Sequence, residues 1–281
     1  MIALRSLWTL THLTLHEAAR RRVLLAALIG GLAFLALYAI GLHFVVRESG
    51  KHIGTNLVER QITLNVLTLA GLYVVHFLTL MSAVLLPVDT LSGEITSGVI
   101  QTVASKPVRR STIVLGKWLA YALVTSAYLL LMAAGVVLVS RGIGHFSPRG
   151  VDRGVPLMAL SALVMMTLSI AGGTRLATVT NGILAFGLYG VAFIGGWVDQ
   201  IGAMTHNQAA VNVGTIASLI LPSEAMWQLA SWHMQPPIMR DLQLTPFSPA
   251  SVPSTAMVGW AAGYVAVVLL IGLRQFSRRP L

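Results

Sequence analysis

The chain has 281 residues, of which 56% are hydrophobic and only 10% charged, and its mean hydropathy is +0.78. A soluble domain carries about 25% charged residues, so this composition assigns the chain to a bilayer, with room for several spans of about 20 residues each and little for a separate globular domain. The formal net charge is +10 and cysteine is absent, which excludes disulfide frameworks, thiolate metal sites and cysteine nucleophiles.

Residues 1–22 place Leu4, Leu7, Trp8, Leu10, Leu13 and Leu15 near helical spacing and end in Arg20, Arg21 and Arg22. This is the pattern of an amphipathic helix lying along a membrane surface. The apolar run that follows, 23–46, exceeds the roughly 7–15 residues of a signal-peptide core and has no clear small-x-small site at its end, so it reads as a retained first span. Further apolar segments at 61–88, 118–140, 155–173, 176–198 and 254–273 predict six spans in all, none with an acidic or basic residue in its interior. The segment 211–221 is too short for a seventh, and Thr205, His206, Asn207, Gln208 and Asn212 at its start are costly in hydrocarbon. It reads as an interfacial or re-entrant helix.

Positively charged flanks stay in the cytoplasm. With six spans and both termini inside, the inner segments hold twelve of the nineteen Lys and Arg residues and a net +9, against a net +1 outside. Seven spans would put Arg274, Arg278 and Arg279 outside and spoil this asymmetry. The basic balance is therefore a topology signal, and no nucleic-acid partner follows from it. The outer connections 47–60 and 141–154 are short, whereas 199–253 is long and broken by Pro222, Pro236, Pro237, Pro246, Pro249 and Pro253. The fold class expected is all-α: a single membrane domain over 1–281 with six transmembrane helices.

Between the second and third spans lies a polar, basic island, residues 89–117. On a helix beginning near Thr90, Leu91, Ile95, Val99 and Val103 recur every fourth residue as one apolar stripe, with Glu94, Gln101 and Lys106 off it. This predicts an amphipathic helix at the inner face, ended by Ser105-Lys106-Pro107, because proline disfavours helical geometry in the residue before it. Arg109 and Arg110 then anchor the return at the headgroups, and Ser111 caps the next helix. On the residues alone, a cytoplasmic loop that merely obeys the charge rule accounts for them equally well.

The run Glu94, Gly98, Ser105-Lys106-Pro107, Arg109 or Arg110, and Leu115-Gly116-Lys117 resembles the segment after the second span of ABC-2 type transporter permeases. There an acidic residue and a glycine precede a Ser-Lys-Pro-Val-x-Arg turn, and a Gly-Lys pair opens span three. Six spans, a basic amphipathic start and a larger outer segment before the last span are similar to that family too, especially its bacterial members of the copper-maturation type. Pro222-Ser223-Glu224-Ala225 with Trp227 is a weaker match. The resemblance implies an elbow helix over 1–22, a coupling helix within 89–107 and extracytoplasmic helices within 199–253. It also implies a bacterial inner-membrane location, a permease homodimer among membrane lipids, and a separate cytoplasmic ATPase dimer that binds ATP and Mg and pushes on the coupling and elbow helices. Leu91, Glu94, Ile95, Gly98, Val99, Lys106, Pro107, Arg109 and Arg110 would then form the ATPase-coupling surface. Glu94 either pairs with a basic residue of the ATPase or, the reading preferred here, bonds within its own chain and holds the coupling helix to the elbow.

No ATP-binding engine lies in this sequence. A phosphate-cradling loop needs G-x-x-x-x-G-K-[ST], and the Gly-Lys pairs, Gly50-Lys51 and Gly116-Lys117, are followed by His52 and Trp118. The chain is thus expected to bind no cofactor and to be no enzyme. The alternatives are an ion-coupled secondary transporter, which needs ionisable groups at membrane depth, or a non-transporting scaffold. His76, with His43 at the end of span one, is the one candidate relay against the reading of a packed histidine. For an intramembrane enzyme, His16-Glu17-Ala18-Ala19-Arg20 lacks the second histidine of a zinc pair and no G-x-S-x-G elbow exists. His206 and His233, with Asp199 and Glu224, fit no metal spacing and read as solvated loop residues. Gly259 and Gly263, the Gly172-Gly173 pair, and Gly187, Gly190, Gly195 and Gly196 permit close helix contact. The path assignment offered is His76, Gly187, Tyr189 and Gly190; the default direction is export, and the cargo stays open.

Overall fold

A computed structural model describes residues 2–49, 57–98, 109–241, 249 and 251–279. The structure is 86% helical and without strands among the described residues. In chain order the helices are α1 (Ile2–Arg20), α2 (Arg22–Ser49), α3 (Leu57–Leu85), α4 (Ser92–Thr96), α5 (Arg110–Gly144), α6 (Val151–Gly173), α7 (Thr178–Met204), α8 (Gln208–Ile220), α9 (Ser223–Met234), α10 (Pro237–Asp241) and α11 (Thr255–Ser277). Six of them, α2, α3, α5, α6, α7 and α11, are long and apolar enough to cross a membrane. They coincide with the six runs that lack internal charge.

The spans differ in exposure. Most of α6 and α3 is buried, whereas α2 and α11 have few fully buried residues. The core accordingly lies around Leu72, Val75 and Leu80 of α3, Leu129 and Met132 of α5, and Met158, Met165 and Met166 of α6. Isolated apolar side chains gain little from leaving lipid, so a bundle of this kind is held by close packing and interhelical hydrogen bonds. Examples here are Trp118 Nε1 donating to Thr167 Oγ1 at 2.8 Å and Ser169 Oγ donating to the Val84 carbonyl at 3.0 Å.

The connection between α7 and α11 turns back into the bundle. At the end of α7, His206 takes a positive φ of 54° and Asn207 caps α8 by accepting from the amides of Ala209 and Ala210. From there α8 descends antiparallel to α7 in very close contact. A Cβ on Gly195 would stand 2.3 Å from Ala217 Cβ, and one on Gly202 would stand 2.6 Å from Ala210 Cβ. The chain bends by 108° at Leu221-Pro222, and α9 climbs out again. Ser161, ten residues into α6 and therefore about 15 Å from its start, donates to the Ser223 carbonyl at 2.9 Å. At the other end of α9, Met234 meets Gly154. The α8–α9 pair is thus a bent pair of helices that packs back into the bundle, where a single interfacial or re-entrant helix was expected for residues 211–221.

Two boundaries depart from expectation. Ser111 does not cap α5: the helix begins at Arg110, with Arg109 in extended geometry at the cap position and no side-chain cap bond. An extended residue after Pro107-Val108 suffices to start the helix, which leaves Ser111 already inside its first turn. The helix α7 also runs on to Met204, so Asp199 belongs to this helix and not to the outer loop.

Candidate functional site

The helix expected over residues 91–103 is short. Among the described residues it spans Ser92–Thr96, and Gly98 adopts φ +76°, a left-handed conformation that suits glycine and ends a helix. Val99, Val103, Lys106 and Pro107 lie outside the described residues. Leu91 is corrected: it is 1% exposed and belongs to the core. The reason is that α4 begins one residue later and is laid against the bundle, so Leu91 anchors the helix and cannot touch a partner. Ile95 is half-buried, packed against the same core.

Glu94 points inward. Its Oε1 lies 2.5 Å from Lys117 Nζ on α5, with the lysine side chain 8% and the glutamate 20% exposed. One residue earlier, a Cβ on Gly116 would meet Leu10 Cβ of α1 at 2.9 Å. The Gly-Lys pair therefore does two things in adjacent positions: Gly116 lets the N-terminal helix approach, and Lys117 holds α4. Glu94 bonds within its own chain, to span three itself and not to the elbow. On α1 the side turned to the protein carries small residues, Thr11, Thr14 and Ala18, while Trp8 and Leu13 are 68% and 60% exposed. The apolar stripe is thus split: Trp8 and Leu13 face outward, while Leu10 packs against the core beside Gly116.

Further bonds tie α4 to the rest of this end. Thr178 Oγ1, at the start of α7, donates to Asp89 Oδ1 at 2.8 Å and lies 2.8 Å from Ser92 Oγ. Buried Asn181 donates to the carbonyls of Ser169 and Val88 at 2.7 and 3.4 Å. Arg21, at the break between α1 and α2, bonds Glu17 at 2.6 Å and donates to the Leu86 carbonyl at 3.2 Å. Arg110 donates to the Arg279 carbonyl, and Arg279 in turn donates to that of Thr174, whereas Arg109 is exposed. The α4 end of the bundle is therefore a bonded ring that includes α1, α3, α5, α6, α7 and α11.

The profile of ABC-2 family transporter proteins matches residues 22–281. The chain belongs to the ABC-2 transporter family. No curated protein matches it. As an ABC-2 family protein it is a multi-pass membrane component of a transporter, and three of the residues that carry the sequence resemblance, Glu94, Gly116 and Lys117, meet in the ring around α4, whereas a Cβ on Gly98 would touch nothing there.

The four residues offered as a path in this ABC-2 protein do not come together. His76 is fully buried, stacked on Trp227 with ring centroids 5.2 Å apart and an interplanar angle of 22°, and its Nε2 is 3.5 Å from Ser161 Oγ. This is the packed-histidine arrangement. Tyr189 is buried on the inner side of α7, near Phe77, whereas Gly187 and Gly190 have open space where a Cβ would stand. Among the other glycines, Gly195 and Gly196 are taken up by α8 and α9, while Gly259 and Gly263 of α11 meet nothing.

Two acids read as loop residues are buried instead, Glu224 at 6% and Asp199 at 7% exposure. The bent α8–α9 pair carries Glu224 inward, and its Oε2 has no hydrogen-bond partner among the described residues. Burial pushes its carboxyl above the usual carboxylate range. The signal available in the sequence was the small-residue match between Gly195 and Gly202 on one side and Ala210, Gly214 and Ala217 on the other, which marks a tight helical hairpin of α7 and α8.

Proposed function

We propose that this chain is the membrane-spanning permease subunit of an ABC exporter, working as a homodimer in a bacterial inner membrane with both termini in the cytoplasm. Substrate movement is driven by ATP and Mg in a separate cytoplasmic ATPase dimer; the permease itself binds no cofactor and catalyses nothing. The observation that supports this reading most strongly is the junction at Gly116-Lys117, where α1, α4 and α5 are fastened in adjacent positions. A push delivered to α4 from the cytoplasm would pass directly to α5 through the Glu94–Lys117 pair and to α7 through Asp89 and Thr178. Glu94 then transmits the push from within, and the partner-facing contacts fall to Ile95, Gly98, Arg109 and the residues 99–108, with 1–22 as the second lever.

The test begins with the genes neighbouring this one, where this reading expects an ATPase subunit. Co-expressed, it should co-elute with the permease in detergent, and Glu94→Lys combined with Ile95→Pro should leave the complex assembled while permease-dependent control of hydrolysis is lost. Absence of a co-eluting ATPase, or unchanged control in the double variant, would sink the docking assignment.

A further inference from the structure

Between α3, α7 and α9 lies a largely apolar hollow, with Glu224 and Gln228 among its walls, that the coupling machinery does not use. It has a volume of about 40 Å³ and is lined by Tyr73 of α3, Gly196 and Trp197 of α7, and Glu224, Trp227 and Gln228 of α9. Room is made for the acid on purpose of packing: a Cβ on Gly196 would stand 2.6 Å from Glu224 Cγ and 3.2 Å from Gln228 Nε2. The Gln228 amide is itself engaged, 3.4 Å from the Gly196 carbonyl. Glu224 has an unpartnered, buried carboxylate oxygen, and no cation pairs with it among the described residues. Taking a carboxylate out of water without a partner costs several kcal/mol, so the site favours either a proton or a cation.

The walls distinguish the two. Three aromatic rings line the hollow together with the acid: Tyr73 and Trp227, whose centroids are 5.0 Å apart, and Trp197. Electron-rich ring faces attract cations, more strongly when the cation is desolvated. Trp197 is also the last ring of a ladder along α7, with Tyr189, Phe193 and Trp197 at centroid separations of 6.2 and 6.4 Å, and it is 43% exposed. The hollow therefore opens beside an aromatic stripe on the bundle surface. At roughly 10–15 Å³ per water-sized occupant, its volume takes about three heavy atoms, enough for an alkylammonium head and too little for a sugar ring.

We propose that Glu224, with Tyr73, Trp197 and Trp227, forms a binding site for the primary ammonium group of an amphiphilic amine, whose apolar body lies along Phe193 and Trp197. This deepens the permease reading, on which it rests, by giving the class of molecule handled: a cationic amphiphile. Amine-bearing lipid headgroups and free amphiphilic amines share this chemistry. The titratable groups turned toward this part of α9 are Tyr73 and His76 of α3 and Tyr189 of α7, with Asp199 further along α7; α6 presents Ser161 there. Glu224 is the group among them whose ionisation sets the charge of the hollow.

The experiment is calorimetric titration of the full-length purified permease, in neutral detergent and without ATPase, with propylammonium, and with 1-propanol as the uncharged control. Saturable binding of propylammonium alone is expected, at least tenfold weaker in Glu224→Gln, and weakening in the wild type as acid protonates Glu224. Absence of saturable binding at alkaline pH, equal binding by propanol, or equal binding by Glu224→Gln overturns the assignment. Should the variant fail to fold, the wild-type pH series decides, since an affinity that is independent of pH overturns it too. Repeating the titration in bilayer discs separates the sources: phosphatidylethanolamine that blocks propylammonium, where phosphatidylcholine does not, identifies the headgroup as occupant, and equal binding in both identifies a free amine. Because the measurement needs no ATPase, failure here leaves the permease reading standing, and failure of co-elution leaves the site standing.

Discussion

Breaking the Glu94–Lys117 pair is the most informative perturbation of the α4 junction. Removing one partner of a fully buried ion pair costs about 3–5 kcal/mol, because the remaining charge is stranded. Here the lysine side chain is 8% exposed but the glutamate 20%, so water reaches the stranded carboxylate in part and Lys117→Met should cost about 2 kcal/mol. Glu94→Gln strands the more deeply buried lysine, whose flexible stem can carry the ammonium toward water, and should cost a similar amount. Together the two changes should cost less than their sum, leaving a coupling of about 1–2 kcal/mol between them. At roughly 2–4 °C per kcal/mol, each single variant should melt about 4–8 °C below wild type in detergent, and the double variant should fall short of the sum of the two single shifts by about 2–8 °C. Additivity of the two single effects within about 0.5 kcal/mol would refute the claim that this pair fastens α4 to α5.

Three other outcomes follow from the geometry. Gly195→Ala drives a methyl group into Ala217 across the α7–α8 contact and should lower the melting temperature by an amount corresponding to about 1–3 kcal/mol, whereas Gly187→Ala, with open space around it, should leave it unchanged; equal effects would count against the hairpin packing. Burial raises the Glu224 carboxyl in the folded state, so the folded protein binds the proton more tightly than the unfolded chain. Its stability contribution is then present at low pH and lost as pH rises from the ordinary carboxylate range through the raised value; melting curves of the ligand-free protein should show this decline, and Glu224→Gln should flatten it. His76 is packed on Trp227 and does no relay work in this reading, so His76→Phe, which keeps the stack, should leave the pH profile of transport-linked hydrolysis unaltered; a shifted profile would restore the proton-relay alternative.

The six spans were legible because hydrocarbon tolerates no unpaired charge, and six runs of about 20 residues without Asp, Glu, Lys or Arg leave little freedom in placing them. The α4 region was legible only in part. A stripe at every fourth residue predicts a helix from Leu91 to Val103, of which the described residues include Ser92–Thr96, and periodicity cannot tell a face turned to a partner from one turned to the bundle, so Leu91 was assigned outward when it is core. The Glu94–Lys117 pair joins residues on different helices, and one sequence holds no record of which charges meet. Glu224 was hidden for a different reason. It lies in a polar, proline-rich stretch, and its burial depends on the hairpin that Pro222 and the glycines of α7 create together; read one residue at a time, it is indistinguishable from a solvated acid.

One helix touches both ends of this arrangement. On α6, Ser169 is bonded to the Val84 carbonyl and to Asn181 at the α4 end, and Ser161 is bonded to Ser223 at the tip of the hairpin. The eight helical steps from one to the other span about 12 Å of continuous helix, a length that cannot compress. A rod pinned at two points can only tilt or slide, so displacement of its lower bonds must either carry the hairpin tip with it or break the Ser161 bond. The distance between those two serines is thus a fixed gauge, and a distance label on Ser223 and Ser169 would read directly which of the two happens.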